Sequence, residues 1–290
     1  SGDEEMYGLI HEMRSRIISA PSFTGDKVIG AILFERTMDG QVDGKPTPQA
    51  LTDIARDSFR VFTWSHVLKV PIVEQEMMLK IGRSLDDILD RGIHLAHDKQ
   101  IEQSVYTGLS AFGTTGLVNN AKVTVDTAAP HTSGGTDTQW SKKTAAEIIK
   151  DINAAVNATW AACDYDVSGM ANHILLPPAQ FALLRSTAVS ANGERSIYAY
   201  LMENNIAAEQ GVSLSIHPCR WCVGAGADGA DRMVCYCNNE DRVRFDITVP
   251  LHRVMTQPSA ADLAYMTPYM SQFSEVQWLF TEHARYVDGI

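Results

Sequence analysis

Between residues 84 and 107 the chain carries one uninterrupted helical pattern, and no other segment limits the possible folds as strongly. Ser84 can cap the free amides of the first turn, and Asp86 and Asp87 place negative charge where the helix dipole is positive. Leu85, Ile88, Leu89, Ile93, Ala96, Ile101 and Val105 then recur at helical spacing. At ~1.5 Å per residue the helix is a rod on the order of 36 Å long, about the width of a small domain. Such a rod is a scaffold around which the rest of the chain must pack. It runs into Thr107-Gly108 and then Gly116-Leu117-Val118-Asn119-Asn120, a turn-forming stretch.

A chain of 290 residues with 45% hydrophobic residues has ample material for a core, divided among one to three domains. A net charge of -11 argues against gripping nucleic acid through a dense basic surface, since each neutralised phosphate needs a Lys or Arg. It leaves room for a weak contact with DNA along one face. No run of 18 apolar residues marks a membrane span, and the start, Ser1-Gly2-Asp3-Glu4-Glu5, is acidic where a secretory signal is basic. Five cysteines, an odd number, fit a reducing compartment better than a disulfide framework. These features together predict an intracellular product that inserts in no membrane.

Met6, Leu9, Ile10, Met13, Ile17 and Ile18 predict an amphipathic helix over 3–19, ended by Pro21. Residues 28–34 then read as a buried strand of a parallel α/β unit. Residues 38–48, dense in Gly, Asp and Pro, form the best linker candidate, with a boundary near Leu51. Residues 59–73 have the aromatic and β-branched content of extended chain. After the long helix comes a loop over 113–140 with a short strand at 121–125. A second long helix starts near Ser141 or Thr144, where Thr144 and Glu147 fit a capping box, and ends near Cys163. Ile148, Ile149, Ile152, Val156 and Trp160 line its apolar face. A strand at 173–176 stops at Pro177-Pro178, and helices are expected over 179–184 and 196–204. The remainder reads as strands at 212–216, 233–237, 243–249 and 275–280, with turns at 224–229 and 238–241. This mixed order makes residues 52–290 an α+β fold.

No catalytic constellation emerges. Gly224-Ala225-Gly226-Ala227-Asp228-Gly229 matches a dinucleotide-binding fingerprint, but that mechanism needs a helix after the glycines, and a strand pattern follows. A glycine-rich turn explains it better. Cys219-x2-Cys222 and Cys235-x-Cys237 invite a four-thiolate zinc site, while the second spacing equally fits two small hydrophobes on one strand face. Cys219, Cys222, Cys235 and Cys237 are thus zinc candidates set against a reading as free structural thiols. His94 and His97 lack the Glu of a zinc-protease helix motif. The pairs Asp86/Asp87 and Asp164/Asp166 suit a helix start and a turn, and Ser186, Ser190 and Ser196 lie in no nucleophile elbow. The methionines, Met77 and Met78 among them, read as core filling. No catalytic residue and no cofactor site is expected.

Several segments, in order, resemble a tailed-phage major capsid protein of the Hong Kong 97 fold. They are 67–73 leading into Glu74-Gln75-Glu76, the helix closed by Tyr106-Thr107-Gly108, Gly116-Leu117-Val118-Asn119-Asn120 and Trp140-Ser141-Lys142-Lys143-Thr144. Ile174-Leu175-Leu176-Pro177-Pro178, Ala225-Gly226 through Arg232-Met233-Val234, and Ala284-Arg285-Tyr286-Val287-Asp288-Gly289-Ile290 complete the set. The resemblance spans about residues 52–290 and implies a non-enzymatic shell protein. It makes 84–107 the spine helix, 52–140 a peripheral domain, 141–247 an axial domain and 248–290 a return to the peripheral domain. The implied partners are copies of itself in pentamers and hexamers, double-stranded DNA held by confinement, and scaffolding or decoration proteins. The implied location is the virion, reached from the host cytoplasm.

Residues 1–51 differ. Tyr7 through Ile18 and Gly25 through Met38 resemble one helix and one strand of bacterial class I fructose-bisphosphate aldolase. One such unit cannot close an eight-stranded barrel, so its strand should lack barrel neighbours and either pack on the capsid-like part or remain an open edge. The chain thus reads as a chimera. An aldolase-like lyase and an encapsulin-like nanocompartment shell stand as the alternatives to the phage shell subunit.

Overall fold

The computed structural model describes residues 26–33, 51–80, 85–132, 135–190 and 195–290. The expected helix over 3–19, the linker at 38–48 and the Ser84 cap lie outside them. Strand β1 (Asp26–Leu33) pairs with β2 (Leu51–Ser58) along its whole length, from Asp26↔Ser58 to Leu33↔Leu51. The pairing is antiparallel, so the expected parallel α/β unit is corrected to a long hairpin that crosses residue 51. The two strands form a sheet of their own, and no barrel surrounds β1 among the described residues.

The chain then enters β3 (Val61–Pro71), α1 (Ile72–Lys80) and the long helix α2 (Leu85–Tyr106), whose length matches the sequence pattern. Ile93, His97, Ile101, Ser104 and Val105 are buried along one stripe of α2 at spacings of three and four. β4 (Thr124–Thr127) follows, and then α3 (Ala145–Ala162). The capping box is present: the Thr144 side chain accepts from the Glu147 amide and Glu147 reaches back to the Thr144 amide. Trp140 Nε1 and Lys143 Nζ both donate to Asp151 Oδ2, a buried network that fixes the start of α3. β5 (His173–Leu176) stops at the prolines, and Pro178 opens α4 (Pro178–Ser186) at a position where its missing N–H costs nothing. α5 (Ile197–Glu203), capped by Ser196, and α6 (Ile206–Glu209) lead to β6 (Ser215–Pro218) and β7 (Arg232–Tyr236).

The expected 243–249 strand is shorter, β8 (Val243–Arg244), and is followed by β9 (Val249–Arg253) and β10 (Gln257–Ser259). β11 (Ala264–Ser274) is an eleven-residue strand not among the expected ones, and it holds Pro268 in its interior, where proline is unusual. It pairs with β3 over its whole length, and β9 and β10 share its other edge. Pro268 is tolerated because its nitrogen faces the gap between β9 and β10, where its carbonyl accepts from the Val254 amide at 2.8 Å. The 275–280 strand shrinks to β12 (Gln277–Trp278), and β13 (Ala284–Asp288) ends the fold.

β13 lies between β4 and the central strand β7 in a five-stranded sheet of order β4-β13-β7-β5-β6. The inner strands β5 and β7 are buried on both faces and read as nearly continuous apolar runs, whereas the edge strand β4 is exposed throughout. Along β7 the side chains divide cleanly: Met233 and Cys235 join Ile148, Ile152 and Val156 of α3 on one face. Val234 and Tyr236 join Ile101, Val105 and Tyr106 of α2 on the other. A smaller core of Leu68, Val70, Ile93 and Tyr269 ties the first half of α2 to the β3–β11 sheet. α2 is therefore the element shared by both sheets.

Candidate functional site

The segment after α2 folds back on the helix it terminates. The amides of Leu117 and Val118 donate to the carbonyls of Val105 and Tyr106 at 2.9 and 3.0 Å, groups that a helix end otherwise leaves open. Asn119 closes the hook, donating to the Thr107 carbonyl at 2.8 Å and accepting from the Gly116 amide at 2.7 Å. A Cβ at residue 116 would lie 2.3 Å from the Tyr106 carbonyl carbon and oxygen, so only glycine fits this crossing.

The hook is bolted to the five-stranded sheet through its own carbonyls. Tyr286 OH donates to the Leu117 carbonyl at 2.7 Å, and Arg232 Nη1 donates to the Val118 carbonyl at 2.9 Å. Arg232 lies over the Tyr286 ring and forms a two-pronged pair with Asp288 at 2.6 and 2.8 Å. Asp288 in turn accepts from the Ala227 amide at 3.0 Å, and Asp231 accepts from the Gly224 amide at the same distance. The glycine-rich segment 224–229 is thus a turn whose Gly224 and Ala227 amides are taken by the protein's own carboxylates and whose Ala225, Gly226 and Gly229 amides are taken by its own carbonyls. A Cβ on Gly226 would sit 2.8 Å from the Asp288 carboxyl carbon, which explains that glycine without a nucleotide. Two sequence motifs and the chain segment 284–290 meet in one buried network. Burial is the main reason that the Tyr286 hydroxyl is held well above its usual range.

The sheet divides the zinc candidates between its two faces. Cys219 and Cys222 lie in the core facing α2, adjacent to each other, whereas Cys235 lies on the α3 face. A hydrogen bond with Cys219, then burial, raises the Cys222 thiol, and burial pushes the Cys235 thiol up to about 12. Cys237 donates to the Ser168 carbonyl at 3.6 Å. Among the described residues no three His, Cys, Asp or Glu side chains are placed to hold a metal. His97 is buried against Trp64 and 2.7 Å from Ser271 Oγ, while His94 is exposed beside Asp90. Asp86 and Asp87 open α2, Asp166 accepts from the Ser168 amide, and Asp164 holds a turn at φ 53°. Ser186 bonds the Leu183 carbonyl, Ser190 is exposed and Ser196 caps α5.

What the molecule does present is uncovered apolar surface. One face of the β3–β11 sheet packs on α2, while the other exposes Val61, Thr63, Ser65, Val67 and Lys69. At the far end of that sheet, α1 has no buried residue and exposes Val73, Met77 and Leu79, and its first amide, of Ile72, donates to the carbonyl of the exposed Leu263. Surface of this kind marks a place where another protein, a membrane or a ligand is bound. Sequence reasoning missed it and assigned Met77 to the core, because α1 shows no apolar periodicity that says which face is covered.

A family model for major capsid proteins matches residues 41–290. The chain belongs to that family. It is a structural, shell-forming capsid protein and not an enzyme, and the mixed helix-and-sheet fold agrees. The capsid chain of Myoviridae phage XM1 is 15% identical with a TM-score of 0.71, over 91% of this chain and 84% of that one. A chain from Gordonia phage Cozz is 13% identical with a TM-score of 0.57, over 91% and 81%. A virus-like particle from Pyrococcus furiosus is 11% identical with a TM-score of 0.50, over 98% and 99%. The lyase alternative is not favoured, and no helix among the described residues is long and apolar enough to cross a membrane.

Proposed function

We propose that this capsid protein is the shell subunit of a tailed-phage head with the Hong Kong 97 fold. The match of 41–290 to the capsid family carries this reading. In it α2 is the spine helix of a peripheral domain made of 52–140 and 248–290, and 141–247 form the axial domain. The placement of α2 between the two sheets supports that division. Residues 1–51 are the aldolase-like piece, although the capsid family match already takes in 41–51. They stand where a subunit of this kind carries an arm that reaches its neighbours. The cysteines have no metal or catalytic role. Double-stranded DNA is held by confinement, consistent with a net charge of -11. Scaffolding or decoration proteins are further partners, and subunits accumulate in the host cytoplasm before entering the virion.

The test is size-exclusion chromatography with light scattering, followed by negative-stain microscopy of any large species. Rings of five or six, sheets or closed shells are expected. A protein that stays monomeric at every concentration and salt would sink the claim that this chain assembles.

A further inference from the structure

A cleft of about 400 Å³ lies where the entry to α3, the first turns of α4, the 229–231 turn and residues 289–290 meet. Trp140, Ala179, Leu183 and Ile290 give it an apolar lining, and Gln180 and Asp231 give it a polar wall. Its size and its few polar groups on an apolar lining are those of a small-molecule site.

Gln180 fixes the polarity of that wall. Its Nε2 donates to Asp231 Oδ2 at 2.8 Å and to the Ile290 carbonyl at 3.2 Å; both partners are acceptors, so the amide cannot be turned over. Oε1 is therefore held in one direction, and it is buried with no donor in reach among the described residues. A buried acceptor left unmatched is destabilising, so this atom calls for a donor. Asp231 lacks a partner of a different kind. Its carboxylate accepts from Gln180 and from the Gly224 amide, yet no cation lies within ion-pair distance of it among the described residues. The neighbouring Arg232 is committed to Asp288 and to the Val118 carbonyl. The amides that open α4 lend Asp231 a partial positive field, well short of one charge.

Other donors along the cleft are already engaged: the amides of Gly229, Ala230 and Gly289 donate to the carbonyls of Gly226, Ala227 and Asp231. An unmatched acceptor and an uncompensated carboxylate beside an apolar lining are the complement of an alkylammonium ion, with N–H donors and positive charge at one end and methylene groups behind. A metal ion fits less well, because it needs several oxygen ligands and no cluster among the described residues is placed to hold one. We infer that this cleft binds a small aliphatic amine, whose ammonium group donates to Gln180 Oε1 and neutralises Asp231 while its methylene chain lies along Ala179 and Leu183. The site lies outside the shell-subunit reading and does not depend on it.

The experiment is isothermal titration of the full chain with butane-1,4-diamine, with butane-1,4-diol and tetramethylammonium chloride as controls at matched ionic strength. The diamine should bind at one site per chain. The diol lacks the charge and tetramethylammonium lacks the N–H donors, so neither should bind. Asp231→Asn should weaken the diamine by about tenfold or more, because the charge is lost and Gln180 is freed to turn its Oε1 towards the new amide. Asp231 also holds the 224–229 turn, so a second variant is needed. Ala179→Phe, at an exposed position on the cleft wall, fills the space without touching a side-chain hydrogen bond; it should melt with wild type and bind no diamine. Diamine binding that survives both substitutions places the site elsewhere and overturns the inference. An equal response to tetramethylammonium, which shows screening alone, or no response to the diamine in wild type also overturns it. Binding of N-acetyl-lysine methylamide without the diamine would assign the cleft to a lysine side chain of another chain and overturn the free amine. None of these outcomes bears on whether the chain assembles, so the shell reading stands or falls separately.

Discussion

Arg232 shows how much one buried side chain can organise. Its guanidinium neutralises Asp288, donates to the hook after α2 and covers the Tyr286 ring, so removing it strands a carboxylate and frees a carbonyl. Gly116 matters at the same junction for a steric reason alone. Replacing it with alanine drives a methyl into the Tyr106 peptide, and neither backbone segment can yield without breaking the Leu117 and Val118 bonds. Gly116→Ala should lower stability by about 2–3 kcal/mol in urea unfolding monitored by circular dichroism, among the larger single-residue effects. An unchanged midpoint would mean that the hook is loosely packed. The sequence marked 116–120 and 224–229 as turns, yet their convergence on Arg232 was not legible. Residues 118 and 232 are 114 positions apart, and no local periodicity records a contact at that separation.

Among the elements, α3 is the best example of local chemistry surviving into the fold. Thr144 and Glu147 form the capping box that their spacing implies, and Ile148, Ile152 and Val156 are the face that is buried. Bonds from Thr132 and Thr144 hold the Glu147 carboxyl at about 2, below its usual 4.5. A depressed carboxylate stabilises the folded state above its unfolded value, and that contribution fades as the pH falls from 4.5 towards 2. Glu147→Gln should therefore melt below wild type at pH 7, with the gap closing near pH 2. Because Glu147 is exposed, high salt should narrow the gap as well. A gap independent of pH would assign the effect to packing. β11 is the opposite case: no expected strand covers it, and only the gap between β9 and β10 makes room for its Pro268.

For the whole molecule, the decisive feature is that one sheet separates two cores while α2 also packs on a second sheet built on β3 and β11. Cys222 and Cys235 report on opposite faces of the five-stranded sheet. Because both faces share the same strand backbones, these thiols should become reactive to an aromatic disulfide reagent in a single denaturant transition. Two separate transitions would show that the faces unfold independently. The sequence by itself determined the long helix, the capped second helix, the proline-stopped strand and the absence of a catalytic pattern, since these depend on periodicity, caps and turn residues acting over a few positions. The tertiary structure alone decided that residues 26–33 pair antiparallel with 51–58, that the four cysteines are divided by a sheet, and that Leu263 stands strained and exposed beside α1. Those outcomes depend on which distant segments meet and which faces they leave uncovered, and that is set by packing the whole chain at once.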